Sequence, residues 1–175
     1  MDEKLVPLIS QSEIATAVQR LARELDRDYQ NSFPIVIGVL KGSFIFLADL
    51  IRQMQTPICN VELIRLSSYG CSTTSSGEVK MVMGLAEGII NNKNVILVED
   101  IVDTGLSTSK AIEILKTHNP SSLKLCALLD KPSRRKVQVE IDYLGIEIPD
   151  RFIIGYGIDM NEKYRQLPAI YAIEE

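Results

Sequence analysis

VILVEDIVDTGLSTSKAIEIL, residues 95–115, decides the fold. Its first four residues are an unbroken apolar run, the composition of a strand buried on both faces. Two adjacent carboxylates, Glu99 and Asp100, close that strand, and a third, Asp103, follows in a turn made by Thr104 and Gly105. From Ser107 to His118 the pattern turns helical and stops at Asn119-Pro120. Such a turn aims the amides of Asp103 to Ser107 at one point, which suits a phosphate monoester. The hydroxyls of Thr104, Ser107 and Thr108 add donors, and the paired carboxylates suit the vicinal diol of a sugar. Acids at a strand end that merely cap a helix are the plainer alternative.

The same pattern recurs on either side. IVIGVL (35–40) and LKLCALLD (123–130) are again buried-strand runs, and VELIRL (61–66) and residues 79–84 read as further strands. Residues 11–29 carry Ile14, Val18, Leu21, Ala22 and Leu25 at helical spacing, with Ser10 and Glu13 placed as a capping box. A second helix is expected over about 43–54. Strand, helix, strand in this order predicts an α/β fold, with a mainly parallel central sheet flanked by helices. Ligands of such sheets bind beyond the carboxyl ends of the strands. One crevice should therefore receive Leu40–Ser43, Glu99–Ser107 and the residues from Asp130 onward. The polar stretch SSYGCSTTSSG (67–77) has little to bury and is expected to be a mobile loop.

Composition narrows the function classes. The chain has 175 residues, enough for one core, so a single domain over 1–175 is expected. Cys59, Cys71 and Cys126 fit neither a disulfide framework nor a zinc spacing. The N-terminus lacks the basic-then-apolar form of a secretory signal, and no apolar run nears the ~18 residues of a membrane span. A cytoplasmic protein without a membrane partner is the expectation. A net charge of −4 and a pI near 5.2 argue against a nucleic-acid partner. The lone histidine, His118, reads as a favourable charge at a helix end.

Glu99-Asp100-Ile101-Val102-Asp103-Thr104-Gly105 resembles the phosphoribosyl-pyrophosphate signature of the type I phosphoribosyltransferases, in the form with an acid at Asp103 that marks the hypoxanthine-guanine branch. The resemblance runs from IVIGVLKGSF to GYGIDMNEKYRQLP and is closest to the short bacterial members. It implies the fold of that family, with a small hood from the N- and C-terminal segments and residues 67–77 as a lid. It also implies transfer of a phosphoribosyl group to a purine, with Mg2+ as cofactor, small-molecule partners, and a homodimer or homotetramer.

Residue by residue, the resemblance gives Glu99 and Asp100 the ribose hydroxyls, and Asp103, Thr104, Gly105, Leu106 and Ser107 the 5′-phosphate. Asp103 would also take the proton leaving N7 of the base. Several relatives have a basic side chain where this chain has Leu106, which leaves the phosphate to amides and hydroxyls. Leu40, Lys41 and Gly42 match the pyrophosphate loop, with a cis peptide between Leu40 and Lys41. Arg165, Ser68 and Tyr69 match the residues that reach pyrophosphate or cover it, and Arg65 a basic residue on the lid-bearing strand. Lys131 matches the lysine that donates to O6 of the purine, and it alone rises above a solvated reading of the run Lys131, Arg134, Arg135, Lys136. Phe152 matches the aromatic that stacks on the base, and Ile153 and Asp159 match residues along the base edge. Glu99, Asp100 and Asp159 match acids near the metal. A xanthine- or guanine-preferring transferase is the nearer alternative. An RNA-binding regulator on the same fold is the remoter one, disfavoured by Asp103 and the acidic pI.

Overall fold

The computed structural model describes residues 4–68 and 79–174. Its elements are β1 (Lys4–Ile9), α1 (Gln11–Asp28), β2 (Ile35–Leu40), α2 (Phe44–Gln53), β3 (Asn60–Ser68), β4 (Val79–Met83), β5 (Asn94–Val102), α3 (Leu106–Lys116), β6 (Ser122–Asp130), β7 (Tyr143–Glu147), β8 (Ile153–Ile154) and β9 (Ile170–Glu174). Six of the strands form one sheet in the order β4-β3-β2-β5-β6-β7. All its pairings are parallel except β3 with β4.

Alternation along the strands divides the core. Val36, Ile96, Val98, Cys126 and Leu128 face α1 and α2, whereas Ile35, Ile37, Val95, Leu97 and Leu125 face the α3 side. Both faces are covered, which is why these strands read as continuous apolar runs. α1 begins at the expected capping box: the Glu13 amide donates to Ser10 Oγ at 3.2 Å and the Ser10 amide to Glu13 Oε2 at 2.8 Å.

The chain leaves β2 toward β3 on one side, and runs from β5 through β6 to β7 on the other. Strand order therefore reverses between β2 and β5, where open α/β sheets bind ligands. The last β2–β5 pair is Gly38 with Val98. Past it the two strands part, and Leu40–Ser43 and Glu99–Val102 border the opening.

Two boundaries differ from the sequence expectation. β5 does not stop at Asp100. It continues to Val102 because β6 extends beside it, pairing Glu99 with Ala127, Ile101 with Leu129 and Val102 with Asp130. α3 correspondingly starts at Leu106 rather than Ser107, and ends at Lys116 rather than His118. A second, antiparallel sheet has the order β1-β9-β8. It makes a strand of the N-terminal segment, whose partner lies at the far end of the chain, with Lys4 opposite Glu174. Of the expected lid, residues 67 and 68 end β3; the remainder, with Tyr69, lies outside the described residues. No helix among the described residues is long and apolar enough to cross a membrane.

Candidate active site

Because they lie inside β5, Glu99 and Asp100 point to opposite faces of the sheet. Glu99 is 5% exposed and faces α3, where Thr108 Oγ1 donates to its Oε1 at 3.3 Å. Burial, and then the charge of Asp100, push its carboxyl well above the usual range. Asp100 faces the other way, against Gly42. Burial raises it to about 6, against the pull of its own amide, that of Ile101 and the charge of Arg165, with Asp159 adding to the rise. Two neighbouring acids held this way favour hydroxyl donors or a cation as partners.

Gly42 is required by close approach. A Cβ there would overlap the Asp100 carboxylate, its Oδ1 at 2.9 Å and the other carboxylate atoms nearer still. The Leu40–Lys41 peptide just before it is cis. A pocket of about 240 Å³ extends from Leu40 and Gly42 across Glu99 and Asp100 to Asp103, Thr104, Gly105, Ser107 and Thr108. Val39, Leu66 and Ile101, which the sequence did not single out, complete its walls. A larger cavity of about 380 Å³, beside Ile14, Val18, Ile45 and Tyr156, has a single carboxylate, Asp49, and no acid pair.

The far end of the pocket is a helix start. Gly105 has φ +83°, a left-handed conformation that glycine adopts without steric cost, and a Cβ there would strike the Val137 carbonyl. The amides of Lys136 and Val137 donate to the Thr104 carbonyl at 2.9 and 3.1 Å and fix the turn from outside. The Ser109 amide makes a helical bond to the Gly105 carbonyl, at 2.9 Å. Of the amides before it, that of Leu106 has a long bond to Thr104 Oγ1, at 3.4 Å; the first turn of any helix leaves such amides without carbonyl partners in the helix. Leu106 is 43% exposed and brings no charge to them.

Around this pocket stand the other expected residues. Lys131 is buried, 4% exposed, at the end of β6, where its amide donates to the Val102 carbonyl at 3.0 Å. The basic run it opens is not simply solvated. Arg135 is half-buried and pairs with Asp130, and Arg134 Nε lies 3.4 Å from Asp103 and 3.8 Å from Asp150. That Asp103 oxygen, Oδ1, is buried and makes no hydrogen bond among the described residues. Ile153 is buried in β8, while Phe152 is 53% exposed beside Met160 and Ile173.

On the Gly42 side, Arg165 Nη2 meets Asp159 at 2.8 Å and Glu162 at 3.1 Å, and Nη1 donates to the Gly157 carbonyl at 2.8 Å. Lys41 reaches across to Glu162 at 2.9 Å. The structure thus gathers Leu40, Gly42, Glu99, Asp100, Asp103, Thr104, Gly105 and Ser107 in one pocket and sets Asp159 and Arg165 within electrostatic reach of Asp100. Lys41, Leu106, Lys131, Phe152 and Ile153 are outside its lining. Sequence reading missed Glu162 and Arg134; an acid three residues before Arg165 was the available signal for the first.

Hard oxygen donors fit a magnesium ion. Among the described residues, however, no three His, Cys, Asp or Glu side chains converge on one point. That suits a cation that keeps most of its waters and shares phosphate oxygens with a substrate, rather than one caged by protein.

A mainly parallel sheet whose switch point sets an acid pair beside a left-handed turn and a helix start is the arrangement of a phosphoribosyl-transfer fold. Residues 9–161 match the model of the phosphoribosyl transferase domain, and the chain belongs to that family. It is 44% identical over 163 residues to the hypoxanthine-guanine phosphoribosyltransferase of Bacillus subtilis, covering 93% of this chain and 89% of that one. It is also 44% identical to the hypoxanthine phosphoribosyltransferase of Buchnera aphidicola, covering 97% and 96%. A crystal structure of a hypoxanthine-guanine phosphoribosyltransferase from Bacillus anthracis superposes with a TM-score of 0.91 at 44% identity, covering 99% of this chain and all of that one.

Proposed function

We propose that this protein serves purine salvage, moving the 5-phosphoribosyl group of phosphoribosyl pyrophosphate to N9 of hypoxanthine, and of guanine, to release pyrophosphate and the nucleotide. The observation that carries this reading is the pocket in which Glu99 and Asp100 adjoin the Asp103–Thr108 turn, in a chain of this family. Glu99 and Asp100 accept hydrogen bonds from the ribose hydroxyls, and the amides of Thr104 to Ser107 hold the 5′-phosphate. Asp103, whose buried Oδ1 lies 3.4 Å from Arg134 Nε and makes no hydrogen bond among the described residues, accepts the proton from N7 and makes the base a better nucleophile.

Lys131 donates to the 6-oxo group, Phe152 stacks on the ring, and Ile153 and Asp159 line its edge. Leu40, Lys41, Gly42 and Arg165 hold pyrophosphate, with Ser68 and Tyr69 closing over it. The residues that would hold Mg2+ are Glu99, Asp100 and Asp159; when bound, the ion supplies positive charge to the leaving pyrophosphate. The chain forms one cytoplasmic domain with the β1-β9-β8 sheet as its hood. Exposed Phe44, Val61 and Leu63 are apolar surface that a second copy would cover, in a homodimer or homotetramer.

The relatives' names favour hypoxanthine and guanine over xanthine. Lys131 can only donate, so adenine, with an amino group at the same position, is rejected. Initial rates with hypoxanthine, guanine, xanthine and adenine, each with phosphoribosyl pyrophosphate and magnesium, test the reading. Adenine as the best substrate would overturn it.

A further inference from the structure

Glu162 has no part in the reaction above, yet one of its oxygens touches both cations assigned to pyrophosphate. Oε2 lies 2.9 Å from Lys41 Nζ and 3.1 Å from Arg165 Nη2. These cations come from parts of the chain far apart in sequence, Lys41 from the turn after β2 and Arg165 from the segment before β9. A single anionic oxygen shared by an ammonium and a guanidinium is the arrangement a phosphate oxygen would make with the same pair.

The carboxylate is also held there. Asn161 and Glu162 have φ of 51° and 64°, a region that side-chain-bearing residues adopt sparingly. The turn is tied by the Glu162 amide donating to Asp159 Oδ2 at 2.8 Å, and by the mutual amide–carbonyl bonds of Met160 and Lys163 at 3.2 and 3.0 Å. Hydrogen bonds from Lys41 and Arg165 hold the carboxylate between the two cations.

We propose that Glu162 is an affinity-setting residue of the pyrophosphate site, an internal anion that occupies Lys41 and Arg165 and gives them up when a diphosphate arrives. The inference rests on the assignment of these two cations to pyrophosphate. It assigns Glu162 a purpose opposite to that of a binding residue. Exchange of one anion for another keeps the cations paired in both states and weakens the hold on the diphosphate product.

Calorimetric titration of the full chain with pyrophosphate in excess magnesium tests this, comparing wild type with Glu162→Gln and Glu162→Ser. A third variant, Glu174→Gln, removes an exposed carboxylate that pairs with Lys4 on the second sheet and controls for net charge. Exposed ion pairs are individually weak, so loss of the Glu162 charge should lower the pyrophosphate Kd by about three- to tenfold. Glu174→Gln should leave it unchanged. Weaker or equal binding in both Glu162 variants overturns the proposal, the weaker result meaning that Glu162 props the cations in place. Equal tightening in Glu174→Gln overturns it in favour of net charge. If wild type itself binds no pyrophosphate, the assignment of the site falls, and this inference with it.

Discussion

Replacing Asp100 by Asn perturbs stability and ligand binding in opposite directions, and the structure gives a size for the first. The Asp100 carboxyl rises from its ordinary 3.8 to about 6 in the folded protein, chiefly through burial. At 1.36 kcal/mol for each pH unit, keeping it ionised in the fold costs about 3 kcal/mol. The folded value lies above the unfolded one. Its favourable contribution is therefore complete below pH 3.8 and is lost as the pH rises through about 6. Asn carries no charge to bury, but it accepts the amides of Asp100 and Ile101 less strongly. Asp100 is also only partly withdrawn from the water of its pocket. A net gain of about 1–2 kcal/mol remains, or roughly 3–6 °C in melting temperature for a chain of this length.

Calorimetric melts from about pH 4 to pH 8, without magnesium or substrate, should show the variant's advantage growing from near zero to its full value above about pH 7. The same variant should bind phosphoribosyl pyrophosphate at least about tenfold more weakly, because a ribose hydroxyl loses a charged acceptor. An advantage that is constant across this pH range, or a variant less stable than wild type near pH 8, would refute the account of Asp100.

Asp103→Asn should lower kcat by about 10²–10⁴ with little change in phosphoribosyl pyrophosphate affinity, the signature of a lost general base. Single-turnover rates with hypoxanthine check it, and an unchanged chemical step removes Asp103 from the mechanism. Gly42→Ala would force a Cβ into the Asp100 carboxylate and cost about 1–3 kcal/mol in strain. Its phosphoribosyl pyrophosphate Kd should rise at least about tenfold by titration calorimetry, and an unchanged Kd would mean that Asp100 can move aside freely.

How much was legible in the sequence depended on where each partner lay. The strands IVIGVL and LKLCALLD announce themselves because burial on both faces leaves only apolar choices. The capping box at Ser10 is equally local, since all its atoms belong to four consecutive residues. The full length of β5 was not legible, because Ile101 and Val102 are drawn into the strand by Leu129 and Asp130 of β6, almost thirty residues away. The second sheet escaped for the same reason, β1 having no partner until β9. At the site, the acid pair and the Thr104-Gly105 turn could be read directly from their order. The pairing of Arg134 with Asp103, and of Glu162 with Lys41, could not. Each depends on how a later turn folds back, and nothing in the identity of an exposed arginine or glutamate records that.

The sheet that carries Ile153 is far smaller than the one that carries Glu99. β8 has two residues and leans on β9 alone, which in turn depends on β1 from the opposite end of the chain. β5 has nine residues and is paired on both sides. Local openings in proteins follow such differences in buried contact and pairing. Ile9, Ile153 and Ile170 nevertheless pack into the same core as Val36 and Ile96, so the small sheet is held by burial where it lacks pairing. Amide exchange should then be slowest in β5 and faster in β8, with the acids and the helix start on the better-protected element.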